Sequence, residues 1–374
     1  MTRAVLTLNA GSSSLKVALY PEAGDMPLAT GLADRIGPDG HLRLKLPDLH
    51  ETPRITSHGV AIEAVIDALT LRWPDLDLVA VGHRVVHGGL RETHAPITPD
   101  LLTELEALSP FAPLHQPHNL AGIQAAMQAF PGVPQVACFD TAFHRTHPWE
   151  ADTFALPRRF YDQGVRRYGF HGLSYDYVSS VLPADLTRVV VAHLGNGASM
   201  CAIRDGRSIA STMGFSALDG LPMGTRSGQL DPGVLLYLME QQAMSPAEIS
   251  DLLYKQSGLL GLSGISNDMR VLEASDAKEA AQAIGYFTLR CAREVAGLAA
   301  AMGGIDGLVF CGGIGENSAR VRRQICAGLG WMGITLDEAR NLAHGPEIGA
   351  GGVRVLVVPT NEELVIAKAA RGVA

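Results

Sequence analysis

The sequence has few cysteines, few charges and no long apolar run, and each shortage removes a class of protein. Its five cysteines are an odd number with no C-x-x-C pair, so neither a disulfide framework nor a zinc-ligand spacing is encoded. That usage fits a reducing, cytoplasmic compartment. No apolar stretch approaches the roughly 20 residues that span a bilayer. The first apolar run, Ala4 to Leu8, is too short for a secretory signal and no cleavage site follows it. Charged residues make up only 18% and the formal net charge is −8, with no basic stripe of the kind that binds nucleic acid. The densest basic cluster, Arg158, Arg159, Arg166 and Arg167 around Tyr161 and Tyr168, reads as a solvated surface at a strand end.

What is present is a globular composition, 47% hydrophobic. The 374 residues exceed one ordinary core, so two domains are expected. Glycine is frequent, at 41 residues, in short clusters between apolar runs, which suits an α/β enzyme with working loops. Ala4 to Leu8 and Leu15 to Tyr20 read as a hairpin around Asn9–Ser14, and residues 41–46 alternate as a strand. Helices are expected over Val60 to Leu71, Pro99 to Leu108 and Pro117 to Phe130, with strands at Leu78 to Gly82 and Gln135 to Phe139. The second half repeats the opening: a strand at Val189 to Leu194, a loop Gly195–Ala198 and a return strand to Arg204. Helices near 232–241, 246–257 and 277–301 follow, then a strand at Gly307 to Cys311, a helix from Glu316, a strand at Arg354 to Val358 and a closing helix from Glu362. This weak duplication implies two similar α/β domains with a cleft between them. The boundary is placed near Asp140 to Phe143, with an N-terminal domain over 1–142 completed by the C-terminal helix 363–374, and a nucleotide-binding domain over 143–362.

Three loops have the chemistry to hold phosphate. Small residues let successive backbone N–H groups approach an anion. Asn9–Ser14 does this and adds the hydroxyls of Ser12 and Ser14, with Lys16 on the return strand. His193–Ser199 has the same logic, and Cys311–Asn317 follows a strand. The three-glycine dinucleotide spacing and the Walker A ending Gly-Lys-Ser/Thr are both absent, so a Rossmann dehydrogenase and a P-loop enzyme are excluded. Each loop alone reads first as a plain polar turn; together they read as a bound nucleotide.

The residues then resemble a known family. Asn9–Lys16, Gly82–Gly89 (GHRVVHGG), Phe139–His144 (FDTAFH), Tyr168–Gly172 (YGFHG), His193–Ser199 (HLGNGAS), Met223–Gly228 (MGTRSG), Gly312–Asn317 (GGIGEN) and Thr360–Glu363 (TNEE) match acetate kinase motifs in the family's order. The resemblance runs from residue 4 to about 369. It implies the sugar-kinase, actin and chaperone ATPase superfamily: two duplicated ribonuclease-H-like domains, an interdomain active-site cleft and a homodimer. The implied reaction moves the γ-phosphoryl group between ATP and acetate, with Mg²⁺, or Mn²⁺ in its place, and no nucleic acid or membrane partner. Propionate kinase shares every phosphate motif and remains an alternative. A more remote one is a nucleotide-switched binding protein.

By this resemblance Arg84, Asp140, His171 and Arg226 are the catalytic set. A carboxylate acceptor is already ionised at neutral pH, so no general base is needed. The two arginines would instead suppress repulsion between two anions. Asn9, Asp140 and Glu362 would hold the metal. Val86, Leu114, Phe170 and Ala217 would form the acyl pocket beside Arg84. Ala217 stands where the family usually has proline, Gln116 where asparagine is usual, and Cys311 in place of a common hydroxyl residue. The nucleotide set is Asn9, Ser12, Ser14, Lys16, His115, His193, Leu194, Gly195, Asn196 and Gly197 for phosphates. Asp268, Met269, Arg270, Gly312, Gly313, Ile314, Gly315 and Asn317 complete it around the adenosine.

Overall fold

A computed structural model describes residues 2–11, 14–34, 36, 41–45, 55–113 and 115–373. In chain order its first elements are β1 (Thr2–Ala10), β2 (Ser14–Pro21), β3 (Ala29–Asp34), β4 (His41–Lys45), α1 (His58–Arg72), β5 (Leu76–Val85), β6 (Ala95–Pro96), α2 (Pro99–Ala107), α3 (Gln116–Ala129) and β7 (Gln135–Phe139). Next come α4 (Trp149–Asp152), α5 (Arg158–Asp162), α6 (Gly172–Val181), β8 (Arg188–Leu194), β9 (Ala198–Arg204), β10 (Arg207–Ser211), α7 (Pro232–Glu240), α8 (Pro246–Lys255), α9 (Gly258–Ser263) and α10 (Met269–Glu273). The rest are α11 (Lys278–Met302), β11 (Gly307–Cys311), α12 (Gly312–Asn317), α13 (Ala319–Ala327), α14 (Glu338–Leu342), β12 (Arg354–Val357) and α15 (Glu362–Val373). Two compact units result, Met1–Arg145 with Asn361–Ala374, and Thr146–Thr360.

Both units are built on one plan. The first sheet runs β4-β3-β2-β1-β5-β7-β6 and the second β10-β9-β8-β11-β12. The second sheet has three antiparallel strands and then two parallel ones, and the first adds β4 and β6 at its edges: β1 pairs antiparallel with β2 and parallel with β5, as β8 does with β9 and β11. The chain is thus α/β with a duplicated ribonuclease-H-like core, the arrangement of actin-like ATPases. The parallel strands β7 and β11 are buried at every position, as expected for strands covered on both faces.

Strand periodicity decides which residues meet in the first unit. Ala4, Leu6, Leu8 and Ala10 of β1, Leu15, Val17 and Leu19 of β2 and Val81 of β5 join one core with Ala61, Ile62 and Val65 of α1 and Ala126 of α3. Each fully buried leucine or valine there contributes roughly 1.5–3 kcal/mol. Successive side chains alternate between faces, so Asn9, Lys16, Gly82 and Arg84 point the other way, toward α15. Gly82 is where α15 seats: a Cβ there would lie 2.5 Å from Ile366 Cγ2.

In the second unit α11 presents a buried stripe, including Ala280, Ala283, Ile284, Phe287, Cys291 and Val295, at three- and four-residue spacing. One expectation shifts. The helix expected from Glu316 begins at Gly312, because the Glu316 carboxylate folds back to accept the Gly312 N–H at 2.9 Å and closes a turn across the glycines. The basic cluster stays at the surface, with Arg158 and Arg159 exposed and Arg166 and Arg167 half-buried, and its guanidinium groups lie over the rings of Trp149, Phe160, Tyr161 and Phe154 respectively. Among the described residues no helix is long and apolar enough to cross a membrane.

Candidate active site

The first unit gathers a charged cluster at the C-terminal ends of its parallel strands, where open α/β sheets place their ligands. Arg84, one residue from the end of β5, forks onto Asp140, which follows β7. Its Nη2 donates to Oδ2 at 2.7 Å and its Nε lies 3.1 and 3.2 Å from the two carboxylate oxygens. Its Nη1 donates to Asn9 Oδ1 at 3.3 Å and lies 3.7 Å from Glu362 Oε2. The Asn9 amide in turn donates to Glu362 Oε2 at 2.9 Å and to Glu363 Oε1 at 3.3 Å. Burial alone would weaken Arg84's hold on its proton, but Asp140, Glu362 and Glu363 outweigh it and keep the guanidinium charged. The carboxylates of Asp140, Glu362 and Glu363 all act on this one guanidinium. Asp140 is 1% exposed and Glu362 7%, so their oxygens are held away from bulk water. Mg²⁺ typically takes one or two carboxylates and keeps waters, so Asp140, Glu362 and the Asn9 amide suit it. Among the described residues no group of three or more His, Cys, Asp or Glu side chains is arranged to hold a metal.

Two buried amides brace this cluster, and sequence reading did not single them out as working residues. Asn119 accepts from Val86 N at 3.0 Å and donates to the Ala10 carbonyl at 2.7 Å, tying β5 to the turn after β1. Gln116 accepts from His87 N at 3.1 Å and donates to the His87 and Leu105 carbonyls at 3.0 and 3.2 Å. Their signal was position, one helical turn apart at the start of α3.

The second unit gathers the histidines. Strand register sets His193 of β8 opposite Ser199 of β9 and Cys311 of β11, so the three share a face. The first turn of α6 lies over that row. His171 stacks on His193 with ring centroids 4.4 Å apart, and its Nδ1 sits 2.8 Å from Ser199 Oγ. Ser174 Oγ sits 2.8 Å from His193 Nδ1. Gly197 opens the space in front: a Cβ there would lie 3.3 Å from His171 Nε2 and 3.9 Å from Arg226 Nη1. Arg226 is held by the Ala217 carbonyl at 3.0 Å and Met223 Sδ at 3.5 Å. Arg226 and His171 therefore flank one small opening over the Gly195–Gly197 turn, which is closed by Gly195 N–H to Gly197 O at 3.0 Å.

The glycine loop of α12 adjoins this turn. Gly313 N lies 3.9 Å from the Cβ position of Gly195, and Gly312, at φ +75°, packs so close that a Cβ would fall 2.8 Å from the Leu194 carbonyl. Asn317 holds the Gly313 carbonyl at 2.9 Å. Beneath it is Arg322, 0% exposed, which sequence reading missed inside an ordinary-looking Arg-rich run. Its donors reach the Gly315 and Glu316 carbonyls at 2.7 and 2.9 Å, and Asn341 Oδ1 and O at 2.9 and 2.8 Å. Hydrogen bonds from a charged group contribute about 1.5–3 kcal/mol each, and at least two are lost on truncation. Arg322→Met should therefore destabilise the protein by about 3–5 kcal/mol in chemical denaturation and raise KM for ATP more than KM for the acid. Unchanged stability and an unchanged KM for ATP would contradict this role.

Lys16 lies on β2 paired with Asn9, and Ser14 bounds the hairpin turn, its carbonyl accepting from Gly11 N at 2.8 Å. His115 caps α3. Val86, Phe170 and Ala217 are 3%, 1% and 8% exposed. Leu194 and Met269 are buried, Ile314 and Gly315 lie in α12, and Asp268 and Arg270 form a surface pair with each other at 2.6 Å. Ser12 and Leu114 lie outside the described residues.

A sequence model of the acetokinase family matches residues 4–368. The acetate kinase of Methylocella silvestris is 54% identical, covering 98% of this chain and 97% of its own. That of Rhodopseudomonas palustris is 50% identical, covering 98% of each chain. Among solved structures, a propionate kinase from Francisella tularensis superposes with a TM-score of 0.94 at 38% identity over 100% of both chains. The acetate kinase of Porphyromonas gingivalis gives 0.88 at 39% identity over 99% of both.

Proposed function

The chain belongs to the acetokinase family, and we propose that it transfers the γ-phosphoryl group of ATP reversibly to acetate, giving acetyl phosphate and ADP. The end-to-end likeness to relatives named acetate kinase carries this reading. The chemistry asks for positioning and charge, not for a base. An acetate oxygen, already anionic, attacks the γ-phosphorus, the bond to the β–γ bridging oxygen breaks, and its electron pair leaves with ADP. Arg226 and His171 donate hydrogen bonds to the equatorial phosphoryl oxygens, with Gly197 leaving room for them. Arg84, oriented by Asp140, takes the acetate carboxylate. Asp140 and Glu362, with Asn9, would hold Mg²⁺, which when bound offsets phosphate charge; Mn²⁺ would substitute. Asn196, Gly197 and the Gly312–Gly315 turn receive the nucleotide.

Acetate and propionate differ by one methylene, worth about 1–3 kcal/mol in an apolar pocket. Acyl phosphate trapped with hydroxylamine, using acetate, propionate and butyrate in parallel, tests the assignment. Acetate should give the highest kcat/KM. A higher value for propionate would keep the chemistry, change the substrate and point to Ala217. ATP hydrolysis without any acyl phosphate would move the nucleotide-switch reading forward.

The protein acts as a homodimer in the cytoplasm. Support for the dimer is α7, an apolar helix with no buried residue, whose Leu236 and Tyr237 are 54% and 52% exposed. Light scattering should give twice the chain mass, and Leu236→Glu should lower it; a monomeric native protein would exclude the dimer. Support for the compartment is the five buried cysteines, none of them in a disulfide.

A further inference from the structure

We propose that a hydrogen-bond chain from Tyr175 through Ser199 holds His171 as the neutral tautomer protonated on Nε2, so that a donor faces the phosphoryl group. The inference rests on the reading of His171 as a phosphoryl ligand and names the groups that make it one.

The chain is buried and built from two elements. Ser199 and Tyr175 are both 0% exposed. The Tyr175 hydroxyl lies 2.5 Å from Ser199 Oγ, and Ser199 Oγ lies 2.8 Å from His171 Nδ1. Tyr175 grips His171 twice, because its backbone N–H also donates to the His171 carbonyl at 3.1 Å and closes the first turn of α6. That grip matters: His171 stands at φ +58°, a left-handed conformation that a non-glycine residue keeps only where its surroundings impose it. His193, stacked at 4.4 Å and 22°, fixes the plane of the ring.

The direction of donation follows from acid strength. A phenol is a far stronger acid than an alcohol, and an imidazole nitrogen is the strongest neutral acceptor of the three. Polarisation along such a chain is cooperative. Tyr175 therefore donates to Ser199, and Ser199 donates to Nδ1. With Nδ1 accepting, the single ring proton of neutral His171 sits on Nε2, the atom that faces the opening beside Gly197. A phosphoryl oxygen only accepts, so a bare Nε2 lone pair would repel it. Tyr175 and Ser199 are thus positioning residues. They touch no substrate and act through the ring of His171.

The test reads the tautomer and the kinetics separately. In ¹⁵N-labelled protein, the His171 imidazole signals, assigned by their loss in His171→Gln, should show a protonated Nε2 and an accepting Nδ1. Ser199→Ala should lose that preference and lower kcat about 10²-fold, the scale of a lost oxyanion donor, while KM for ATP and acetate moves little. Tyr175→Phe, which keeps the ring, should weaken the preference and lower kcat to a smaller extent with thermal stability nearly unchanged. A native His171 protonated on Nδ1, or a Ser199→Ala enzyme with native kcat, overturns the proposal. If His171→Gln itself retains native kcat, the phosphoryl-ligand reading falls with it. If His171→Gln is impaired but Ser199→Ala is not, only the relay falls.

Discussion

Arg226→Ala should lower kcat for acetyl phosphate formation about 10³-fold, the low end of what an arginine at a phosphoryl transition state supplies. Arg226 donates to the Ala217 carbonyl at 3.0 Å and to Met223 Sδ at 3.5 Å, both uncharged acceptors. Arg84→Ala would strip the counter-charge from Asp140, Glu362 and Glu363 and confound chemistry with folding. Arg226→Lys restores charge without the planar fork, and should stay at least about 10²-fold impaired. Both variants should keep the native circular dichroism spectrum. Activity within tenfold of wild type for the alanine variant would remove Arg226 from the reaction.

The second large effect is on acid stability. Three histidines of the first unit are held neutral. Burial pushes His83 down to about 4, offset in part by its bond to Gln135. Burial, aided by Arg145, pushes His87 to about 3, and burial alone pushes His94 to about 4. The structure uses the neutral forms. His87 Nδ1 accepts the Gly89 N–H and His94 Nδ1 accepts the Phe139 N–H, both at 3.1 Å. The unfolded chain takes up protons near 6.5 while the fold refuses them until about 4 or below. The unfolded state therefore binds more protons in that window, and stability is full above 6.5 and falls as pH drops through it. Each group contributes about 1.4 kcal/mol per pH unit, so three give roughly 4 kcal/mol per unit in mid-window. Urea unfolding at pH 7 and pH 5 should show a loss of several kcal/mol, and His94→Gln should flatten the slope by about a third. A stability independent of pH over that range would contradict it.

Most of the fold was legible because its strands are short apolar runs between turn signals. The repeated strand, small loop and return strand reads directly from residues 4–20 and 189–204. The compact units divide at 145/146, three residues past the position chosen from sequence. Elements such as α4, α5, α9 and α10, of four to six residues, escaped because one turn carries no periodicity. The order of the motifs was also legible, but contacts made by register were not. The resemblance implied that Asp140 orients Arg84 or Arg226, and the fork from Arg84 is fixed by β5 and β7 lying side by side. Arg322 looked like any surface arginine, because nothing local tells that its fork ends on the carbonyls of α12. Ser199 closed a recognised motif, yet its partner Tyr175 appears only when α6 is laid over β9.

The most direct test of the whole account is ³¹P NMR of the protein with Mg·ATP and acetate. The account predicts that resonances of acetyl phosphate and ADP grow together in equal amounts, and that added acetyl phosphate and ADP regenerate ATP. Growth of ADP with inorganic phosphate alone, at a rate indifferent to acetate, would contradict it.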